Sequence, residues 1–213
     1  MGGLARFKFN KIWLIISIIL PLIINLGVVG LFLLTGNSYD FLKINWASLL
    51  PLFLMNFLYN IWEEFGWRGY ALPKLQEKTN ALYSSLIVGV FWCLWHWPHL
   101  TVYNSDMLKI YHNSAHFLID VILDSLIFAW LYNSTDGNTL IATLFHASQN
   151  TFGLLIFHDF QYRLMIYWSW LIRGIIIIVV IAKFGIKSLS HRKKIVFSQI
   201  IKEIDEKKGK TKK

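Results

Sequence analysis

The sequence predicts an all-α protein, a polytopic transmembrane helical bundle of about six spans forming one domain over residues 1–182, followed by a basic tail over residues 183–213. Two observations carry that prediction. Residues of the AVILMFWYC set make up 55% of the 213 positions and charged residues only 15%, whereas a soluble domain is about 25% charged. The apolar residues also come in long runs, and roughly 20 helical residues at about 1.5 Å each cross a hydrocarbon layer of roughly 30 Å. So apolar a composition excludes a disordered chain. The lone Cys93 excludes a disulfide scaffold and cysteine-based zinc sites.

The first run, Ile12 to Leu34, contains no charge and reads as a retained anchor, because it lacks the short apolar core and small-residue cleavage site of a signal peptide. Five more follow: Trp46 to Leu72, Ala81 to Trp97, His116 to Tyr132, Thr139 to Phe157 and Leu164 to Ala182. Turn residues separate them, at Pro73 and Asn80, Pro98 to Asn113, Asn133 to Asn138 and His158 to Arg163. Pro98 is expected to end its helix. With a cytoplasmic N-terminus, seventeen basic residues fall inside and three outside, Arg68 among the former and eleven in the tail. The expected location is therefore a multi-pass protein of the cell membrane with both termini cytoplasmic. The tail reads as a solvated run drawn to anionic lipid. It has no aromatic platform for nucleic acid, so the +9 net charge is a topology signal.

Charged residues inside a bilayer are costly and mark function or pairing. The second span ends Ile61-Trp-Glu-Glu-Phe-Gly-Trp-Arg-Gly-Tyr-Ala-Leu-Pro73, the third contains Trp92-Cys-Leu-Trp-His96, and the fifth contains His146-Ala-Ser-Gln-Asn150. Counted from the nearest cytoplasmic turn at about 1.5 Å per residue, Glu63 lies roughly 15 Å deep, His96 roughly 22 Å, and His146 and Asn150 roughly 12 and 18 Å. That agreement predicts one polar cavity. Glu64 and Arg68 are i,i+4 and can pair, as can His146 and Asn150 be aimed at one point. Glu63 is turned about 100° from Glu64. Arg68 would thus hold Glu64 and leave Glu63 free for chemistry.

These stretches resemble the motifs of the CPBP family, the type II CAAX-prenyl-endopeptidase-like and bacteriocin-processing intramembrane proteases, also called Abi. Glu63-Glu-Phe-Gly-Trp-Arg68 matches EExxxR, Trp92 to His96 resembles FxxxH, and His146 to Asn150 resembles HxxxN. The likeness covers a motif-bearing core of about residues 46–157. Trp92 stands where the family usually has Phe, one aromatic for another. The resemblance implies an intramembrane endopeptidase that hydrolyses peptide bonds of membrane-associated proteins or peptides. It implies that Glu63 and His96 activate water and that His146 and Asn150 stabilise the oxyanion, with Glu64 and Arg68 in support. A carboxylate held away from bulk water is a stronger base, which agrees.

No cofactor is favoured. Zinc is possible, and Glu63, His96 and His146 would then be its ligands, although HExxH is absent. The expected partners are a membrane-associated substrate and the lipid bilayer, with no nucleic acid. The alternative function is a non-catalytic membrane adaptor or bacteriocin-immunity protein of the same family; a small proton-coupled transporter is a third class. Taken singly, each histidine could be a satisfied core residue, and Glu64 with Arg68 only a register-fixing pair. His112, His116, Asp120 and Asp124 form an i+4 stripe outside the motifs, read as a wet wall of the same cavity or a support to the ligands. His99 reads as interfacial and Cys93 as a small core residue.

Overall fold

A computed structural model describes residues 10–103, 105, 107, 111, 114–157 and 164–210, and regular structure among them is entirely helical. In chain order the helices are α1 (Ile12–Leu34), α2 (Leu49–Gly66), α3 (Leu72–Gln76), α4 (Ala81–Thr101), α5 (Ser114–Ser134), α6 (Thr139–Ile156), α7 (Met165–Phe184) and α8 (Phe197–Lys210). The six long helices before α8 correspond to the six apolar runs. α1, α5 and α7, with mean hydropathies of 2.7, 1.6 and 2.1, are long and apolar enough to cross a membrane by length and composition. α2, α4 and α6 are the helices that carry the motif residues.

Local chemistry explains the boundaries. Asn80 caps α4 by accepting from the Tyr83 N–H at 2.9 Å, and Asn138 caps α6 by accepting from Ile141 at 3.2 Å. The turn between α5 and α6 needs left-handed backbone, with Asp136 at φ 54° and Gly137 at φ 78°. The Gly137 N–H donates to the Tyr132 carbonyl at 2.8 Å and closes α5. α4 packs on α5, α2 on α6, and α1 on α6 and α7. The α4–α5 contact depends on Gly89, where an added Cβ would lie 3.0 Å from the Cα of Ile122. Outward faces are apolar: Ile15, Ile23, Leu50, Leu58, Leu94 and Ile178 are all exposed, as a lipid-facing surface requires.

The structure corrects the sequence reading at three places and leaves a fourth outside the described residues. α4 does not stop at Pro98 but continues to Thr101, and the Val102 N–H bonds the Pro98 carbonyl at 3.2 Å. Proline removes one helical bond, and burial of Leu100 in the core continues beyond it. Arg68 is fully buried, so it is a site residue and no orientation charge. The tail is not a solvated run. The Ala81 and Leu82 N–H groups, orphaned at the start of α4, donate to the Lys187 and Ile186 carbonyls at 3.0 and 3.2 Å. Asn133 donates to the Ser188 carbonyl and accepts from the Ile195 N–H, while Gln76 donates to the Ile195 carbonyl. Leu189, Ile195 and Ile200 are buried, so three apolar residues within a basic stretch are enough to pin it under the helix ends. Finally, His112 and the basic residues Arg6, Lys8, Lys109, Arg163, Lys212 and Lys213 lie outside the described residues, and so do their predicted roles.

α8 is fastened at its first turn. The Ser198 N–H donates to Glu77 Oε1 at 2.9 Å, and the Phe197 ring packs edge-on to Tyr70 with centroids 5.1 Å apart. Lys74 Nζ lies 2.7 Å from Glu77 Oε2. The hydrogen bond from Lys74 holds the Glu77 carboxyl below its ordinary range, and its partner raises Lys74 in turn.

Candidate active site

The site is assembled from one polar stripe on α2. Asn56, Asn60 and Glu64 recur at i+4 and are all buried on the face toward α6. α2 then passes into a π-helical turn, Trp67–Ala71, in which the Leu72 N–H reaches back to the Trp67 carbonyl. Such turns favour functional sites, and this one carries Arg68. Arg68 Nη1 and His146 Nδ1 both lie 2.9 Å from Glu64 Oε1. A carboxylate oxygen only accepts, so Nδ1 of His146 carries the proton. The Arg68 guanidinium lies 3.8 Å from the Phe128 ring centroid and 4.6 Å from that of Trp92, contacts that are strongest where water is excluded.

Glu63 faces the other way, toward α4. Its Oε2 accepts from the indole Nε1 of Trp92 at 2.9 Å, and its Oε1 lies 4.0 Å from His96 Nε2. His96 Nδ1 is 3.1 Å from the Trp92 carbonyl. A carbonyl cannot donate, so Nδ1 is the protonated nitrogen and Nε2 presents a lone pair toward Glu63. The 4.0 Å gap is too long for a hydrogen bond and suits one water-sized bridge. The two side chains remain partly accessible, at 23% and 18%.

Glu63, Trp92, His96, His146 and Asn150 line one cavity of about 330 Å³. The four residues at matching predicted depth are thus brought together. Asn150 reaches Asn60 Oδ1 at 3.5 Å, and the neighbouring Asn56 donates to Thr151 at 3.1 Å. Two details depart from the predicted division of labour. Glu64 is shared between Arg68 and His146, and Glu63 is held by Trp92. Asn56 and Asn60 are not among the sequence candidates, and Trp92 is there only as a motif position without a role. The i+4 run from Asn56 to Glu64 in an apolar span was the available signal for the first two; a bond between α2 and α4 leaves none in sequence.

The cavity is also lined by Asp120, Asp124 and Arg173. Arg173 Nη1 lies 2.8 Å from Asp120 Oδ1 and 3.2 Å from Asp124 Oδ1. Asp120 also accepts from Trp170 Nε1 and the Tyr111 hydroxyl, each at 3.1 Å. The acidic half of the predicted stripe does border the cavity, but Arg173, on α7, neutralises much of it. His116 packs edge-on against Tyr167 and Trp170 instead. Cys93 is buried in the core as the sequence suggests, whereas His99 lies on the exposed face of α4 and not beyond its end, because the helix continues past Pro98.

His146 Nδ1 is committed to Glu64 and Glu63 Oε2 to Trp92, which leaves the other ring nitrogen and the other carboxylate oxygen uncommitted by these bonds. Among the described residues, no three His, Cys, Asp or Glu side chains are grouped to hold a metal.

Comparison with known proteins agrees with the motifs. A family model described as Type II CAAX prenyl endopeptidase Rce1-like matches residues 45–152, half of the chain, and the chain belongs to that family. It is 30% identical over 104 residues to CAAX prenyl protease 2 of Methanococcus maripaludis, covering 47% of this chain and 38% of that protein. It is 27% identical over 151 residues to lysostaphin resistance protein A of Staphylococcus haemolyticus, covering 68% and 39%. The protein of that name from Staphylococcus epidermidis is 31% identical over 147 residues, with 67% and 36% covered. The chain therefore spans less than two fifths of the length of these relatives.

Proposed function

We propose that this chain is a membrane-embedded endopeptidase that hydrolyses peptide bonds of membrane-associated proteins or peptides with a water activated by Glu63 and His96. The observation that carries the reading is the 4.0 Å separation of Glu63 Oε1 and His96 Nε2 in a cavity also lined by His146 and Asn150. Two acceptors so spaced can each accept one hydrogen bond from a single water, which leaves the water's oxygen lone pair for the scissile carbonyl. As the C–O bond forms, Glu63 takes the proton. The carbonyl oxygen becomes an oxyanion, met by the Asn150 amide and by His146 in its protonated form, for which Glu64 is the counter-charge. Collapse breaks the C–N bond, and Glu63 returns the proton to the leaving amine. Arg68 fixes Glu64 and is itself buried beneath Phe128. No metal takes part in this scheme, and no step depends on one.

The charge distribution supports a multi-pass arrangement with both termini cytoplasmic. The partners are then the bilayer and a membrane-associated substrate.

The test is comparative proteomics of membranes carrying the wild-type chain, Glu63→Gln or His96→Ala at equal abundance. A product present with wild type and lost with both variants is expected, because removing a general base costs about 10²–10⁴ in rate. Products or a host phenotype that persist unchanged in both variants would overturn the protease reading in favour of an adaptor or immunity role.

A further inference from the structure

Trp92 contacts Glu63, His96, His146 and Arg68. Its indole N–H is bonded to Glu63 at 2.9 Å, and its carbonyl to His96 Nδ1 at 3.1 Å. Its ring meets His146 edge-on at 5.2 Å and Phe128 at 5.7 Å, with the Arg68 guanidinium 4.6 Å away. It is almost wholly buried. The carbonyl contact would survive any substitution, since the backbone makes it. The indole N–H would not, and it is the only hydrogen-bond donor that the Trp92 side chain possesses.

We infer that Trp92 is a positioning residue whose indole N–H orients the Glu63 carboxylate for its reaction with water. The inference rests on the proposed hydrolysis. A carboxylate on a helix rotates about its last side-chain torsion, a broad and weakly biased one. Tying Oε2 to Trp92 selects the rotamer in which Oε1 faces His96. A phenylalanine at 92, the residue the motif resemblance leads one to expect, would fill most of the same space without imposing that choice. The substitution is therefore not neutral in this chain: it transfers part of the fixing of the base from α2 to α4. Bonds to charged groups are short and directional, and general-base catalysis is sensitive to geometry.

Two variants separate the N–H from the ring. Trp92→Phe removes both the donor and ring volume. Replacement of Trp92 by 3-benzothienylalanine keeps the bicyclic shape and exchanges only N–H for sulfur. The full chain, reconstituted in liposomes, is assayed with an internally quenched farnesylated peptide ending in a CAAX sequence. Both variants are expected to lose about ten- to a hundredfold in kcat, with KM unchanged within about twofold, as for one hydrogen bond to a charged group. The benzothienyl variant should keep the wild-type melting temperature. Independently of activity, the indole ¹H–¹⁵N resonance that disappears in Trp92→Phe should move upfield in Glu63→Leu. A benzothienyl variant with wild-type kcat overturns the inference, and so does an indole resonance indifferent to residue 63. A wild-type chain that leaves the peptide intact excludes a farnesylated CAAX substrate, and the indole resonance then decides the positioning role by itself.

Discussion

Two charge clusters line the cavity, and they are built differently. In one, Arg173 closes on Asp120 and Asp124 at 2.8 and 3.2 Å, with side-chain exposures of 6%, 8% and 12%. In the other, Glu63 and His96 stand 4.0 Å apart and keep 23% and 18% of their exposure. Both clusters use residue types that are costly in a bilayer. The difference is that the first spends its charges on each other and joins α5 to α7, whereas the second leaves an oxygen and a nitrogen facing each other without bonding. The lesson is that a buried charge alone does not identify a catalyst; a carboxylate and an imidazole held about a water's width apart on an accessible cavity wall are the better sign. Glu64 and Arg68 fall on the closed side of that distinction. They sit next to the chemistry, but each is already paired.

The comparison breaks first at Arg173. Arg173→Met leaves two carboxylates unbalanced and should cost about 3–5 kcal/mol of stability, the usual penalty for removing one partner of a buried pair. The fold should recover when Asp120→Asn and Asp124→Asn are added, as read by thermal melting in detergent. If the single variant melts like wild type, the triad is not the brace described. Glu63→Gln is the mirror case, with activity lost and melting unchanged.

Asn150→Ala sharpens the open side of the comparison. An oxyanion donor is worth about 10²–10³ in kcat, or about 2.7–4 kcal/mol of barrier. Steady-state kinetics should show that loss in kcat with KM little changed. A rise in KM alone would instead make Asn150 a binding residue.

Gly89→Ala tests the contact that sets α4, and hence Trp92 and His96, against α5. The new Cβ would meet the Ile122 Cα at 3.0 Å, backbone that cannot give way as a side chain can. Overpacking of this kind costs about 1–3 kcal/mol, so a lower melting temperature and reduced kcat should appear together. An unchanged melting temperature would show that α4 has room to shift.

The smallest effect lies farthest from the cavity. The Glu77 carboxyl is held below its ordinary range by Lys74 and the Ser198 N–H. A depressed folded-state value means that the bond to α8 stabilises the protein fully above the ordinary carboxylate range. That stabilisation is lost as pH falls through the lowered value. Amide exchange in α8 should therefore speed up in acid while exchange in α5 and α6 does not, and Glu77→Gln should abolish the difference. Equal acid sensitivity in α5 would point to global loosening instead.

Much of this was legible in the amino-acid order. The apolar runs marked the helices because burial in hydrocarbon demands length and composition, properties local to a segment; Ile12–Leu34 agrees to the residue. Asn80 and Asn138 read as turn residues, and each caps the helix that follows, since capping acts within three residues. Glu63, His96, His146 and Asn150 could be grouped because depth along a helix is a count of residues. Other features were not legible. Arg173 and Trp92 act across helices, and their partners depend on the angle at which α7 meets α5 and α4 meets α2. The tail misled because its charge is visible in sequence, whereas the backbone donors of Ala81 and Leu82 that capture it are not. Sequence by itself determined which residues lie within the helices and at what level, since a helix repeats regularly along its own axis. Only the tertiary structure decided which of them close on one another and which remain open to the cavity, since that choice is made by ångström-scale distances between segments far apart in the chain.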